Sequence, residues 1–445
     1  MNGLSLPNFV SALMDRLETA GFPTYAVGGC VRDMWLGLIP QDYDLCTAAL
    51  PEQTEAVFAD HDLVLAGKKH GTVGVITPDG VVEITTFRTE GGYGDNRHPD
   101  WVKFVPDIRE DLARRDFTVN AMAWSPLRGF ADPFGGQADL QAGILRAVGD
   151  PATRFQEDSL RILRGVRFAV RFNLQPESAT VQAMESLAPL MENLARERVF
   201  DELCKLLPLV NALTLKTFGP ILAAVIPELQ PMLGFDQHSP HHAYDLFTHT
   251  AYVVEHTPPQ LALRWAALLH DTGKVTTFTQ DDNGRGHFYG HAKESAAFAD
   301  QILRRLKAPT ALREEVVTLI ELHMTKLEPE KKVLRRWLSR LGAPMLDQLL
   351  TLQKADMRSK GPNIKEEYKQ FDRIQAVLDE ISAENACLTL KDLAVNGNDL
   401  IALGYAGKAI GAALNRLLEL VLDEQLPNQK ESLLNFIREN KETTL

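Results

Sequence analysis

One short stretch constrains this chain more than any other. The residues Val27–Asp33, VGGCVRD, are followed nine positions after Asp33 by the triplet Asp42–Asp44, DYD. On a strand, Asp42 and Asp44 would project from the same face and repel each other unless a cation or a proton lay between them. Glycines allow close backbone approach, and their N–H groups can face an anion. The pattern therefore suggests a nucleoside triphosphate bound with Mg²⁺.

Composition limits the class of protein. At about 150 residues per domain, 445 residues predict roughly three domains, and 45% hydrophobic with 24% charged residues is typical of a globular protein. Charges interrupt every apolar run before the ~20 residues that a membrane span needs, and the N-terminal segment lacks the features of a signal peptide. Four cysteines without pairing or metal-type spacing indicate a reducing cytoplasm. The formal net charge of -12 argues against nonspecific coating of nucleic acid, although it allows a local basic groove.

The order of secondary-structure signals changes along the chain. Up to about residue 135, helical and strand patterns alternate: YAVGG and DYDLCT are predicted strands, and residues 70–88 predict a hairpin around Pro78-Asp79-Gly80. Residues 89–107 are rich in Gly, Asp and Pro and are predicted to form a mobile loop. Beyond about residue 150 the pattern is mostly helical. We therefore expect a small α/β head followed by a long all-α body.

The paired aspartates predict a two-metal site for nucleotidyl transfer. One metal would activate a 3′-hydroxyl group and the other would hold the triphosphate and the leaving pyrophosphate. Glu83, near the end of the predicted hairpin, is the candidate for a third carboxylate. Taken alone, a DxD triplet is more often a pair of solvent-facing acids at a strand end.

The segment Arg114–Trp124, RRDFTVNAMAW, strengthens the nucleotide hypothesis. Arg115 offers a planar, permanently charged guanidinium that suits a phosphate. Asp116 follows it, and Asn120 with Ala121 would allow close packing under a nucleotide. The alternative is a surface arginine pair at the start of a helix, which we disfavour because GGCVRD and DYD lie upstream.

These motifs occur in a characteristic order. GGCVRD, DYD, RRDFTVNA, DPFGG, EDSLRILRGVRF and ERVFDEL follow one another within the first 205 residues or so. In this the chain resembles the class II tRNA nucleotidyltransferases, which comprise bacterial and eukaryotic CCA-adding enzymes and bacterial poly(A) polymerases within the DNA polymerase β-like superfamily. The resemblance implies an α+β fold with a polymerase-β-like head built on a small mixed sheet, then an all-α neck, body and tail.

The segment Glu157–Phe172, EDSLRILRGVRFAVRF, predicts a helix that selects bases. Asp158, Arg161, Arg164 and Arg167 recur at three-residue steps and would share one helix face. A carboxylate accepts from an exocyclic amine and a guanidinium donates to ring nitrogens, so an Asp-Arg pair would accept cytosine and adenine and reject uracil and guanine. The alternative is a solvated helix face with an ordinary salt bridge, worth a few tenths of a kcal/mol.

The family resemblance implies a role for each matched residue. Asp42 and Asp44 match the Mg²⁺ ligands, and Asp158 with Arg161 matches the base-selecting pair. The full nucleotide-binding set is Gly28, Gly29, Arg32, Asp33, Arg115, Asp116, Asn120, Asp158, Arg161, Arg164 and Arg167.

Histidines in the helical body form a second candidate site. LLHDTGK supplies an adjacent His-Asp pair, and imidazole and carboxylate groups are suitable ligands for divalent transition metals. The series resembles that of HD-domain metal-dependent phosphohydrolases, which implies an active phosphodiesterase or phosphatase, or a metal-stabilised scaffold. The minimal set is His249, His270, Asp271 and Asp356, and His291 and His323 are candidates for a second metal.

Two later segments are candidate tRNA contacts. Residues 326–340 contain six basic residues and two acids, which is compatible with phosphate binding and equally with an ordinary amphipathic helix. Residues 396–428 resemble the C-terminal segment of HD-containing CCA-adding enzymes, and Gly404, Gly407 and Gly411 would admit close backbone approach to RNA.

These observations predict a cytoplasmic enzyme that adds C, C and A to tRNA from CTP and ATP, with Mg²⁺ in the head and a divalent transition metal in the HD site. Its domains would be a head (1–140), a neck (141–235), an HD domain (236–362) and a tRNA-binding tail (363–445). The segment 90–99 would move when specificity switches from C to A, and the family resemblance implies that its presence favours complete CCA addition. The alternatives are an A-adding or CC-adding enzyme, a poly(A) polymerase, an HD phosphohydrolase with an RNA-binding head, and a pure tRNA-binding module.

Overall fold

The computed structural model describes residues 4–92, 101–239, 243–360, 365–384 and 386–440. The chain divides into two compact units, which are considered separately. The first contains Met1–Val210 and Thr217–Gln230, and the second contains Asn211–Lys216 and Pro231–Leu445. The first is mixed α and β and the second is almost entirely helical, so the predicted α+β class is confirmed.

The first unit is built on a seven-stranded sheet with the order β3-β4-β5-β2-β1-β8-β9. Only the pair β2–β5 within it is parallel. Two smaller pairs, β6–β7 and β10–β11, lie outside it. The strands are β1 (Thr24–Val27), β2 (Asp44–Thr47), β3 (Leu63–Val64), β4 (Thr72–Thr77), β5 (Gly80–Thr86), β6 (Arg88–Gly91), β7 (Trp101–Phe104), β8 (Ala123–Ser125), β9 (Gly129–Ala131), β10 (Ile144–Leu145) and β11 (Gln175–Pro176).

Helices surround this sheet and then continue the chain. They are α1 (Asn8–Thr19), α2 (Gly29–Trp35), α3 (Pro51–Val57), α4 (Ile108–Ala113), α5 (Gly136–Ala142), α6 (Pro151–Glu157), α7 (Leu160–Arg171), α8 (Ser178–Leu187), α9 (Arg196–Leu206) and α10 (Ala212–Ala223). Short 3₁₀ turns occur as well, including Thr118–Asn120. Buried side chains of β1, β2, α4 and β8 meet in one apolar cluster around Phe87 and Leu112. Two of its members, Val27 and Ala121, are sequence neighbours of the predicted site residues Gly28 and Asn120.

Two expectations for the head are corrected by the structure. The strand of the DYD motif begins at Asp44, so Asp42 precedes it and the strand-alternation argument does not apply to the pair. Residues 88–91 and 101–104 pair as the antiparallel strands β6 and β7, so this segment is not loop throughout. The loop expected between them, including most of the specificity segment 90–99, falls at 93–100, outside the described residues. The predicted hairpin is present as β4 and β5, with Thr77 opposite Gly80.

The second unit is a helical body. Its helices are α11 (Leu246–His256), α12 (Leu261–Leu269), α13 (Lys274–Thr277), α14 (His291–Arg305), α15 (Thr310–Leu322), α16 (Lys331–Leu341), α17 (Ala343–Arg358), α18 (Lys365–Ala383), α19 (Gly397–Ala402), α20 (Lys408–Leu422) and α21 (Lys430–Glu439), and its strands are β12 (Thr279–Gln280) and β13 (Gly286–His287). The apolar helix α12 is buried along its whole length, with Trp265 fully enclosed. The last three helices share a separate small core that includes Leu400, Leu417 and Leu433.

The helical segments are all short or carry charge. Within the described ranges, no helix combines the length and the apolar character that crossing a bilayer requires. The two structural units do not test the four-part domain division made from the sequence, which therefore stays a prediction.

Candidate functional site

A cavity of about 520 Å³ lies in the first unit, where α2, β2, the turn after α4 and the helix α7 meet. Of the residues predicted for nucleotide and Mg²⁺ binding, all but Asp33 and Glu83 line it. The lining set is Gly28, Gly29, Arg32, Asp42, Asp44, Arg114, Arg115, Asp116, Asn120, Asp158, Leu160, Arg161, Arg164, Arg167, Phe168, Arg171 and Arg198. Motifs spread over 170 positions of sequence thus share one cavity, in which guanidinium groups outnumber carboxylates.

The acidic part of the cavity is open to solvent. Asp42 and Asp44 are both exposed, and Asp44 lies in register with Glu83 on the neighbouring parallel strand. Desolvation and then the charge of Glu83 raise the pKa of Asp44, although Arg115 opposes the shift. Carboxylate oxygens are the ligands that hard divalent cations prefer, so Asp42 and Asp44 suit the predicted metal. The register supports the choice of Glu83 as a nearby third carboxylate.

The glycine pair makes room for an arginine. Gly28 has φ +73°, and a Cβ atom built on it would lie 2.8 Å from Nη1 of Arg115. Any side chain at this position would therefore be strained and would also displace the guanidinium. Gly29 begins α2, and a Cβ there would lie 3.6 Å from Nη2 of Arg32.

Arg32 is held from both sides. Its Nε and Nη2 donate to Asp33 Oδ1 at 2.9 and 2.7 Å, its Nη1 donates to Asn120 Oδ1, and its guanidinium lies 4.2 Å from the ring centroid of Phe172. Asp33 is buried and does not line the cavity. The structure therefore places Asp33 as the partner of Arg32, away from any ligand in the cavity.

The arginines of α7 each pair with an acid. Arg164 Nη2 lies 2.7 Å from Asp116 Oδ2, Arg167 Nε lies 2.6 Å from Glu202 Oε2, and Arg161 Nη1 lies 2.8 Å from Glu157 Oε2. Burial by itself raises the pKa of an acid, but the charge of Arg164 and further contacts lower the pKa of Asp116 to about 2. These pairs fix the direction of the guanidinium groups along the cavity.

Asp158 is not on the helix that the sequence predicted for it. α6 ends at Glu157, Asp158 follows with extended backbone, and α7 begins at Leu160. Asp158 Oδ2 lies 2.7 Å from Nη2 of Arg198, a cavity residue that the sequence analysis did not single out. Arg198 belongs to the ERVFDEL motif, and its place in that motif is the sequence signal that could have identified it. The i, i+3 face is therefore made by the three arginines alone. Asp158 pairs with Arg198 and Arg161 pairs with Glu157, and the base-selecting role of Asp158 and Arg161 stays a prediction.

The six predicted HD residues converge in the second unit, and all are buried. His249 Nε2 lies 3.1 Å from Asp356 Oδ1 and 3.5 Å from Asp271 Oδ2, and His270 Nε2 lies 3.1 Å from Asp271 Oδ2. His291 Nε2 lies 3.4 Å from Asp271 Oδ1. Two triads have the spacing of metal ligands, namely His249, His270 and Asp271, and Asp271, His291 and His323.

Backbone contacts determine the tautomers in this histidine cluster. The Nδ1 atoms of His270, His291 and His323 lie 2.8, 2.8 and 2.6 Å from backbone carbonyl oxygens. A carbonyl only accepts, so each Nδ1 donates and each Nε2 of a neutral ring presents a lone pair to the cluster. The Nε2 atoms of His291 and His323 lie 3.3 Å apart, and desolvation lowers the pKa of His323 to about 3. Two facing lone pairs are relieved by a cation between them, so this donor set suits a divalent transition metal.

The basic segment 326–340 is mostly paired within the protein. Lys331 and Arg335 contact Glu384, Arg335 also contacts Glu424, and Arg336 lies 2.6 Å from Asp423. These pairs tie α16 to residues around α18 and α20. The alternative of an amphipathic helix with a charged outer face therefore describes this segment better than a phosphate-binding surface.

Comparisons with known proteins agree with this geometry. Residues 24–146 match the family model described as the poly A polymerase head domain, residues 173–212 match an RNA and SrmB binding site of polymerase A, and residues 287–437 match tRNA nucleotidyltransferase domain 2. The fold and the cavity thus define a nucleotidyltransferase, a class that uses a divalent metal.

Relatives are similar over nearly the whole chain. The CCA-adding enzyme of Streptococcus pneumoniae serotype 19F (strain G54) is 32% identical over 432 residues, covering 96% of each protein. That of Streptococcus mutans serotype c is 30% identical over 433 residues, covering 96% of this chain and 95% of the relative. The crystal structure of the Bacillus stearothermophilus CCA-adding enzyme in complex with CTP is 28% identical, with a TM-score of 0.71 and 99% of each chain covered. This chain belongs to the family of CCA-adding enzymes, the tRNA nucleotidyltransferases, as its motifs predict.

Proposed function

We propose that this chain adds C, C and A in turn to the 3′ end of a tRNA in the cytoplasm, using CTP and ATP and releasing pyrophosphate. One observation carries the proposal: paired carboxylates, arginines for a triphosphate and an acid suited to a base edge line a single cavity. The relatives named above are CCA-adding enzymes, and one of them was crystallised with CTP. Two rival functions are an HD phosphohydrolase whose head only binds RNA and a pure tRNA-binding module. Neither explains why carboxylates, arginines and a base-selecting acid line the same cavity.

The residues divide the work by their chemistry. Asp42 and Asp44 hold Mg²⁺, which when bound supplies Lewis-acid activation of the attacking hydroxyl and neutralises the triphosphate. Glu83 adds negative charge beside them. Arg32, held by Asp33, and Arg115, for which Gly28 leaves room, bind the phosphates. Because these groups are held before substrate arrives, the triphosphate is oriented with little reorganisation.

Selection of the base falls to Asp158, which lies between α6 and α7, and to Arg161 in α7. Asp158 accepts from the exocyclic amine of cytosine or adenine, and Arg161 donates to the neighbouring ring nitrogen. Uracil and guanine present an oxygen where the amine would be, which leaves the carboxylate of Asp158 facing an acceptor. Asp158 contacts Arg198 and Arg161 contacts Glu157, so both side chains are held next to the cavity by ion pairs.

Primer extension on a tRNA lacking its CCA end tests the proposal. With Mg²⁺ and each labelled nucleotide given separately and together, we expect three additions that stop and that require CTP before ATP. Addition of CC alone or of A alone would identify a CC-adding or an A-adding enzyme. Addition of A residues without limit would identify a poly(A) polymerase. The double variant Asp42→Ala, Asp44→Ala serves as the inactive control, and no incorporation by folded wild-type protein would refute the proposal.

We propose in addition that the histidine cluster binds a divalent transition metal and supports phosphohydrolase activity. The observation that favours it is the arrangement of buried Nε2 lone pairs around Asp271, with Lys274 Nζ 2.8 Å from Asp271 and Lys360 Nζ 2.8 Å from Asp356. Such a metal would activate a water molecule, and the lysines would orient a phosphate. Hydrolysis of phosphomonoesters and cyclic phosphodiesters, assayed with Mn²⁺, Co²⁺ or Ni²⁺, tests this. Loss in His270→Ala with CCA addition retained would support it, whereas no hydrolysis with any metal would leave a structural scaffold.

The division into head, neck, HD domain and tail remains part of the proposal. In it the tail from 363 binds tRNA through the segment around Gly404 and Gly407, both of which have positive φ. Contact mapping by crosslinking to tRNA would test the tail.

A further inference from the structure

A buried carboxylate beneath the nucleotide cavity has no part in the functions proposed above. Asp111, in α4, has no measurable exposure and does not line the cavity. Placing an ion so deep costs free energy unless its charge and its hydrogen-bonding capacity are both satisfied. Its contacts therefore indicate what the residue is for.

The two oxygens of Asp111 bind two different arginines. Oδ1 accepts from Nε and Nη2 of Arg114 at 3.0 and 2.9 Å and from the backbone N–H of Arg88 at 3.3 Å. Oδ2 accepts from Nη2 of Arg115 at 3.2 Å and contacts Sγ of Cys46 at 3.7 Å. Burial raises the pKa of Asp111, but the charges of Arg114 and Arg115 outweigh it, and the pKa lies below its ordinary value. The carboxylate is therefore ionised and fully occupied.

This anchoring determines which part of Arg115 faces the ligand. Nη2 is tied to Asp111 in the interior, while Nη1 lies 2.8 Å from the place that a Cβ on Gly28 would take. Gly28 lines the cavity, so the free edge of the guanidinium is turned towards the phosphate-binding end. An arginine side chain has several rotamers of similar energy, and a single buried acceptor selects one of them.

We infer that Asp111 is a positioning residue for nucleotide binding, which acts by holding Arg115 in the orientation that contacts the triphosphate. It touches no substrate itself. The inference rests on the proposed role of Arg115 and adds to it the residue on which that role depends. Through the buried side chain of Asp111, α4 thereby contributes to the affinity for both CTP and ATP.

Steady-state kinetics on the full chain test this assignment. Asp111→Asn keeps the shape and removes the charge, so we expect KM for CTP and for ATP to rise about 10- to 100-fold with KM for tRNA unchanged. Glu110→Gln is the matched control, because it removes the same charge from an exposed position on the same helix. A nucleotide KM within twofold of wild type in folded Asp111→Asn protein would overturn the inference.

A double-mutant cycle separates this inference from the proposed function. If Asp111 acts through Arg115, adding Asp111→Asn to Arg115→Ala changes the nucleotide KM little further, whereas additive effects would refute the coupling. An Arg115→Ala variant with normal nucleotide KM would instead refute the proposed role of Arg115. Should Asp111→Asn fail to fold, Asp111→Glu keeps the charge and shifts it by one methylene. We then expect a smaller but selective rise in nucleotide KM, and an unchanged KM would contradict the assignment.

Discussion

Asp44 and Glu83 lie directly opposite each other on the parallel strands β2 and β5, the one parallel pair of the seven-stranded sheet. Asp44 and Glu83 are therefore neighbours on adjacent strands, and Asp42 lies just before β2. Like charges at this spacing raise the cost of leaving the site without a cation. The sheet topology, more than the DYD triplet alone, creates the acidic site.

The first prediction concerns this acidic site. Asp42→Ala and Asp44→Ala should each lower kcat for nucleotide addition about 10³-fold, because each removes a metal ligand worth several kcal/mol in the transition state. Glu83→Ala should cost about tenfold or less, since Glu83 does not line the cavity. Single-turnover rates with CTP measure these effects, and excess EDTA should abolish the wild-type reaction. Asp79→Ala, in the exposed β4–β5 turn, is the control and should be unaffected.

Asp158 should decide which base is added. In Asp158→Asn the side-chain amide gains a donor, so the ratio of kcat/KM for CTP over UTP should fall about 10- to 100-fold. Competition assays with both nucleotides measure the ratio. Asp201→Asn, on an exposed position of α9, should keep wild-type selectivity. An unchanged CTP preference in Asp158→Asn would show that base selection lies elsewhere in the cavity.

Gly28→Ala should damage nucleotide binding through a steric clash. Its Cβ would meet Nη1 of Arg115 at 2.8 Å, so we expect KM for CTP and ATP to rise about tenfold in addition to a loss of stability of about 1 kcal/mol. Gly37→Ala is a closely matched control. Its φ of +72° is almost the same, but no atom lies within 4 Å of its built Cβ. Equal effects of the two variants on KM would assign the defect to backbone strain alone.

The histidine cluster should retain metal through purification. Mass spectrometry of the protein should find at least one equivalent of a transition metal per chain, and the double variant His270→Ala, Asp271→Ala should lose it. Chelation should lower the melting temperature of the wild type and leave that of the double variant unchanged, because a bound ion stabilises only the folded state. His287→Ala, outside the cluster, is the control. A metal-free wild type after growth in metal-supplemented medium would count against the site.

The basic residues of α16 should contribute little to RNA binding. Arg335→Ala with Arg336→Ala should change Kd for tRNA less than about twofold and leave its salt dependence unaltered, because these guanidinium groups already contact acids. Stability should fall only slightly, because exposed ion pairs are screened by water and salt. Filter binding at several salt concentrations and thermal unfolding measure the two quantities. A clear reduction of the salt slope would restore this segment as a phosphate contact.

Residue types and their spacing identified the candidate site residues. The head motifs and the HD series are combinations of residue type and short spacing, and nearly all of their members converge in the structure. The β4–β5 hairpin was also predictable, because a Pro-Asp-Gly turn between β-branched runs is a local signal. These features depend on neighbouring residues, which a linear sequence displays directly.

Which charged residues form ion pairs with one another depends on the tertiary structure. Helical periodicity suggested that Asp158 continues the face of Arg161. Instead, α7 begins at Leu160, and the carboxylate of Asp158 contacts Arg198 forty residues later. Likewise, the arginines of α16 contact acids that lie about 50 and 90 residues later in the chain. Ion pairs over such separations depend on how the helices pack, and no periodicity along the sequence encodes them.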